Sequence, residues 1–277
     1  MKKDFWNYSI EIYKRMGSPW RPTRHEIGIM ENRIAGWMVG KAGLSKIQAL
    51  ILGLTPEIVD MTWPAQTRLT VVDSSEAMIR EFWPPEGVDG KQLVQADWMH
   101  LPFQSCKFDV ITGDGVFAVP PYPDGYRHLA RILSHILKPG GLFLTRVHVQ
   151  SEPKENPEQI AAEYQSGKIS DYHQLRFRLI TAMQPDARQG VCSSKETIDA
   201  CLAQLGISLP ELYRTTGYVP PPTGPGLSMP AGAPPMKATY PTQDEFLMTM
   251  QGHFRKLDVS CGDHPLAQRC QIFAFSK

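Results

Sequence analysis

The run Arg68-Leu-Thr-Val-Val-Asp73, followed by Ser74-Ser75-Glu76-Ala77-Met78, decides how this chain is read. A β-branched apolar run ends in a carboxylate, and a segment with helical spacing follows it through Phe82. Apolar runs with so few polar interruptions suit strands buried on both faces of a parallel sheet. The pattern recurs on either side. Upstream, Gln48 to Leu52 leads into Gly53-Leu54-Thr55-Pro56-Glu57; downstream come Gln92 to Asp97, Phe108 to Thr112 and Gly141 to His148. Helical patterns over Glu57 to Met61, Ser75 to Phe82 and Tyr126 to Leu137 separate them. The last places Leu129, Ile132, Leu133, Ile136 and Leu137 on one face and stops at Lys138-Pro139-Gly140-Gly141. Strand and helix in alternation predict right-handed crossovers and an α/β, doubly wound, Rossmann-like sheet.

The strand ends carry the polar residues. Gly53 permits a tight turn and close backbone approach, Thr55 is the candidate N-cap, Pro56 takes the first helical position and Glu57 sits in the first turn. Asp73 closes the second strand 20 residues after Gly53. A carboxylate at that place accepts hydrogen bonds from both hydroxyls of a ribose. Equally, Asp73-Ser74-Ser75-Glu76 reads as the cap of the next helix. Asp97 ends the third strand, where it can take the exocyclic amine of adenine with Trp98 or Met99 against the ring. Thr112-Gly113-Asp114-Gly115 ends the fourth, and small residues there leave room above the sheet.

Composition narrows the class. The 277 residues carry a net charge of +1 with 21% charged residues, which argues against binding nucleic acid through a general basic field. No apolar run approaches the roughly 20 residues that span a bilayer, and Met1-Lys2-Lys3-Asp4-Phe5-Trp6-Asn7 does not read as a signal peptide. The five cysteines (Cys106, Cys192, Cys201, Cys261, Cys270) form no Cys-x-x-Cys pair, so the expectation is a cytoplasmic protein without a metal site.

After Val149 the pattern turns helical over Pro157 to Gly167, Asp171 to Met183 and Ser194 to Leu205, with Ser194-x-x-Thr197 as a cap signal. Between Gly217 and Pro241 eight of 25 residues are proline, which excludes regular structure there and fits either a flexible connection or a loop over a site. Thr242-Gln-Asp-Glu245 is a capping box opening a helix through Phe254. Lys256 to Ser260 and Arg269 to Phe275 close the chain as an antiparallel pair. The organisation expected is a helical N-terminal segment (1–46), a nucleotide-binding core (47–148 and 256–277), and an inserted helical lid (149–255) containing the proline-rich loop 217–241.

Together, Val71-Val72-Asp73-Ser74-Ser75-Glu76-Ala77-Met78, Asp97-Trp98-Met99-His100-Leu101-Pro102-Phe103, Phe108-Asp109-Val110-Ile111 and Leu137-Lys138-Pro139-Gly140-Gly141-Leu142-Phe143 resemble the class I S-adenosylmethionine-dependent methyltransferases. The resemblance runs from about Gln48 to the C-terminus. It implies a seven-stranded sheet with a reversed last strand and S-adenosyl-L-methionine as cofactor. By resemblance Asp73 holds the ribose, with Ser74 and Met78 beside it. Asp97, Trp98 and Met99 take the adenine, and Gly53, Leu54 and Thr55 the methionine part, with Gly113 and Asp114 at the fourth strand end. The family's first motif usually has an acidic residue two before its first glycine and two further glycines; here those positions hold Ile51, Thr55 and Glu57. Glu57 or Asp114 is then the candidate to replace the charge, and Arg21 to take the methionine carboxylate.

Methyl transfer is an in-line displacement that needs positioning, no metal, and often only a modest base. His148 at the end of the fifth strand is the first candidate for base or substrate contact, with Tyr172, His173 and Asp114 after it. The function expected is methyl transfer to a small-molecule acceptor. Two alternatives stay open: a cofactor-consuming enzyme of the same fold that cyclises the methionine chain to a cyclic amino acid such as azetidine-2-carboxylate and methylthioadenosine, and a non-catalytic binding module.

Overall fold

The structure is a computed structural model and describes residues 6–41, 46–192, 195–220 and 237–277. Helices α1 (Trp6–Lys14) and α2 (Arg24–Val39) precede an alternating core. That core comprises β1 (Ile47–Leu52), α3 (Pro56–Val59), β2 (Thr67–Asp73), α4 (Glu76–Phe82), β3 (Lys91–Gln95), β4 (Phe108–Asp114), α5 (Asp124–Ile136) and β5 (Leu137–His148). A cap of α6 (Pro157–Gln165), α7 (Tyr172–Met183), β6 (Val191–Cys192), α8 (Lys195–Gln204), α9 (Leu209–Thr216) and β7 (Lys237–Ala238) follows. The chain returns through α10 (Gln243–Met250), β8 (Arg255–Ser260) and β9 (Cys270–Ser276).

The sheet order is β3-β2-β1-β4-β5-β9-β8. The first five strands are parallel; β9 runs antiparallel to β5, and β8 antiparallel to β9. From β1 the chain works outward through β2 to β3, then crosses back to β4 on the other side. The crevice at that switch point, beyond the carboxyl ends of the strands, is where this topology binds ligands.

Strand alternation divides the core into two layers. Leu50, Leu52, Val72, Ile111, Phe143, Phe273 and Phe275 pack with Leu129 and Leu133 of α5 and Phe246 of α10. Ile47, Ala49, Ile51, Val71, Val110 and Leu144 pack with Tyr13, Ile27, Met30, Ile58 and Met78 on the other face. Both faces are dry, which accounts for the uninterrupted apolar runs. The cap has its own core around Ile160, Leu175, Phe177, Ile180, Leu202 and Leu212. Arg269 ties it to the sheet, donating to Val149 O at 2.8 Å, Glu155 Oε2 at 2.7 Å and Thr181 Oγ1 at 2.8 Å.

Three details differ from the sequence expectation. The strand expected from Gly141 begins at Leu137, because a register shift between Phe108 and Val110 lets Leu137 pair with Phe108. The segment 149–255 was expected to be all lid, yet α10 lays Phe246 and Met250 onto the sheet beside α5. Helix α9, headed by Ser208 with a proline in its first turn, lay outside the predicted elements. Ser194 and the proline-rich stretch 221–236 lie outside the described residues.

Candidate functional site

A cavity of about 560 Å³ lies over the ends of β1, β2, β4 and β5, under the cap and beside the segment joining α1 to α2. At its β1–β2 end, Gly53 turns the chain with φ +89°, a conformation that favours glycine. Its amide donates to Val72 O at 2.8 Å. The indole of Trp98 donates to the same carbonyl at 3.0 Å, and its ring would stand 3.2 Å from a Cβ on Gly53. Asp73 is buried, and its carboxylate accepts the Leu54 amide at 2.9 Å on Oδ2 and the Ser75 amide at 2.8 Å on Oδ1. It thus ties the β1 turn to the β2 turn. Capping of α4 falls to Ser75, whose hydroxyl accepts the Met78 amide. Leu54, Thr55, Ser74 and Met78 also line this end. Asp97 lines it from an exposed position and accepts the Met99 amide at 2.9 Å.

The β4–β5 end is built on a buried ion cluster. Arg146 is wholly buried; it donates to Glu26 Oε1 at 2.9 Å, Asp114 Oδ1 at 2.8 Å and Pro19 O at 2.5 Å. Glu26 closes the capping box of α2 through the Thr23 amide and also meets His264. Burial alone would raise the Glu26 pKa. The His264 contact and the Arg146 charge overcome it and hold the carboxyl down at about 2. Burial pushes Asp114 up, against the pull of Arg146, so it is the more easily protonated of the two. The Arg146 pKa is itself raised: both carboxylates outweigh burial.

His148 Nε2 lies 3.0 Å from Pro19 O, an acceptor only, and 3.3 Å from Arg146 Nη1, a donor only; the shorter contact favours the ring proton on Nε2. Burial first, then the Arg146 charge, lowers its pKa to about 3. The ring is therefore neutral at physiological pH, and Nδ1 has no hydrogen-bond partner among the described residues. Trp20 flanks it edge-on and Phe177 at a tilt, and Gly115 passes close to the Nδ1 edge.

Other residues singled out in the sequence lie elsewhere. Arg21 pairs with Glu57 at 2.8 Å and sits over the Tyr13 ring rather than lining the cavity. A Cβ on Gly113 would meet Val116 at 2.5 Å and Leu52 O at 3.0 Å, so protein fills the room expected there. Met99 packs on the core. Tyr172 stacks on Tyr218 with ring centres 3.8 Å apart, and His173 meets Arg15 O at 3.0 Å; neither reaches the cavity. Sequence reasoning missed Trp20, Arg176, Ile180, Lys237 and Tyr240, all in the cavity wall. It also missed Glu26 and Arg146. An arginine within an apolar strand and the Thr23-x-x-Glu26 capping box were the available signals.

Residues 54–145 match the sequence profile of a family described as a methyltransferase domain. That span carries a methyltransferase domain. The matched span runs from the turn after β1 into β5. It leaves the cap, β8 and β9 outside.

Solved structures share the fold at low identity. One is a provisionally described methyltransferase in complex with the Haloferax volcanii Trm112 methyltransferase activator, 12% identical, covering 99% of this chain and 98% of that one at a TM-score of 0.50. A Rhodobacter sphaeroides protein provisionally described as a Zn-dependent alcohol dehydrogenase is 13% identical over 98% and 96% of the two chains, TM-score 0.58. The CurJ carbon methyltransferase is 10% identical over 93% of this chain and 56% of that one, TM-score 0.51. No curated protein sequence matches the chain. Among the described residues, no group of three or more His, Cys, Asp or Glu could hold a metal ion, and no helix is long and apolar enough to cross a membrane.

Proposed function

We propose that this methyltransferase acts on a small-molecule acceptor enclosed between the sheet and the helical cap. The observation that carries the reading is the cavity. Its volume of about 560 Å³ falls within the range of small-molecule sites, and Ile180 and Tyr240 wall it opposite the strand ends. A polymer such as nucleic acid would call for an uncompensated basic surface, against a net charge of +1. The partners proposed are therefore the cofactor and a small molecule, with neither nucleic acid nor membrane, in a cytoplasmic setting.

S-adenosylmethionine supplies an electrophilic methyl group on a sulfonium, so holding two partners in line provides much of the rate. The β1–β2 end fits the adenosine. Two amides fix the Asp73 carboxylate at the cavity wall, where a ribose hydroxyl would meet it. Asp97 and Trp98 flank the adenine, Ser74 and Met78 border the ribose, and Gly53, Leu54 and Thr55 face the methionine part. Asp114 supplies the charge that Ile51 does not, holding the methionine amine. His148 accepts a hydrogen bond on Nδ1 from the attacking group of the acceptor. With a pKa of about 3 it orients that group rather than storing its proton. In domain terms, 1–46 forms one wall, the cap begins at Val149, and α10 belongs with the core.

Product analysis tests the reading. The purified chain should convert S-adenosylmethionine to S-adenosylhomocysteine only when a small-molecule acceptor is added. Methylthioadenosine formed without acceptor would contradict it in favour of cyclisation, and tight binding without turnover in favour of a binding module.

A further inference from the structure

The cavity wall is not uniform in charge. Its carboxylates, Asp73, Asp97 and Asp114, all stand at strand ends. The cations lie opposite, on the cap: Arg176 from α7 and Lys237 from β7. Arg176 is half-buried, and among the described residues it makes no ion pair and no hydrogen bond. It lies over the Trp20 ring, with the guanidinium carbon 5.9 Å from the ring centre. Trp20 itself lies against His148 at the β5 end.

A half-buried guanidinium with no carboxylate paired to it is costly unless a ligand supplies the anion. Every other arginine with appreciable burial here is paired: Arg146 with Glu26 and Asp114, Arg178 with Glu155 and Glu163, Arg269 with Glu155, Arg21 with Glu57. Arg176 is the exception, and it opens on the site.

Strand order says which ligand it serves. From Asp73 on β2 to His148 on β5 the sheet steps through β1 and β4, three gaps of about 4.8 Å, or roughly 14 Å. The adenosine end is at β2, so a cation grouped with Trp20, His148 and Tyr240 lies beyond the methyl donor, on the acceptor's side. Ile180, Ala238 and Tyr240 beside it are apolar.

We propose that the acceptor is a small acid, an apolar or aromatic body bearing a carboxylate, whose carboxylate binds Arg176 with Lys237 in support. This rests on the small-molecule reading above. Arg176 is then a specificity-determining residue, and it leaves the cofactor end untouched.

The test uses the full chain saturated with S-adenosylhomocysteine and titrated with matched probes: 4-hydroxybenzoate and 3-phenylpropionate against their neutral amides. Each acid should bind at least about tenfold more tightly than its amide, as a charge-assisted pair requires. Arg176→Gln should abolish that preference while S-adenosylhomocysteine affinity stays within about twofold. Equal binding of acid and amide, no binding of either, or a preference that survives Arg176→Gln overturns the proposal. A tenfold loss of S-adenosylhomocysteine affinity in Arg176→Gln also overturns it, by assigning Arg176 to the cofactor's own carboxylate. Failure of the unaltered chain to bind S-adenosylhomocysteine would instead overturn the reading beneath it.

Discussion

The two ends of the cavity hold their carboxylates by opposite means. At β1–β2, Asp73 is fixed by backbone amides of Leu54 and Ser75, 19 and 2 residues away. At β4–β5, Asp114 is fixed by a buried guanidinium, which Glu26 in turn holds from 120 residues away. The first end is built from the two strand-end turns themselves, by donors close in sequence and neutral. The second end is built around a buried charge. Arg146 pins the strand ends to Pro19 and to α2, and so fixes the wall that an acceptor would meet.

The largest break in this contrast comes from Arg146→Met. It leaves Glu26 and Asp114 buried without their cation, and unfolding in urea should show a loss of about 3–5 kcal/mol. A change below about 1 kcal/mol would deny the cluster its role.

Acid should act selectively on the same end. His148 titrates near 3 in the folded chain against 6.5 for a free imidazole, so the unfolded chain binds more protons between those values. Its contribution is complete above pH 6.5 and is lost as the pH falls toward 3. The depressed Glu26 adds stability present above its usual 4.5 and lost as the pH falls toward 2. Denaturation midpoints should therefore decline from about pH 7 downward in the unaltered chain. In His148→Gln the decline between pH 6.5 and 4.5 should shrink to the share of His173, which burial also depresses; an unchanged profile would refute the buried neutral imidazole.

At the first end the effect should appear in binding more than in stability. Asp73→Ala should weaken S-adenosylmethionine by about 1.5–3 kcal/mol in calorimetry, the value of charged hydrogen bonds to ribose hydroxyls. An unaltered dissociation constant would remove Asp73 from the site. Smallest of all is Arg21→Ala. Its pair with Glu57 is part-exposed and stands off the cavity, so the expected change is below about 1 kcal/mol in stability and within twofold in cofactor affinity. A tenfold loss of affinity would return Arg21 to the methionine carboxylate.

The same contrast explains what the sequence disclosed. Five parallel strands, the reversed closing pair and the Thr242 capping box were legible, because apolar period and turn chemistry are local signals. Asp73 and the Gly53 turn were legible for the same reason. Glu26, Trp20, Arg146 and Arg176 were not, since each matters through a partner or a wall that only the folded chain assembles. Tyr172 and His173 misled in the converse way. On α7 they look exposed to a site, but the chain packs them against Tyr218 and the backbone of Arg15. Gly113 carried a correct signal with a second cause, since the close approach of β1 and Val116 demands a small residue as strictly as a ligand does.

The central claim is that a methyl group passes to a small molecule held under the cap. The direct measurement is to incubate the chain with methyl-labelled S-adenosylmethionine and a whole-cell extract, then separate the products by size. Label should appear in the small-molecule fraction as a new methylated compound, matched by S-adenosylhomocysteine. Label in protein or nucleic acid alone, with none in the small-molecule fraction, would contradict the account.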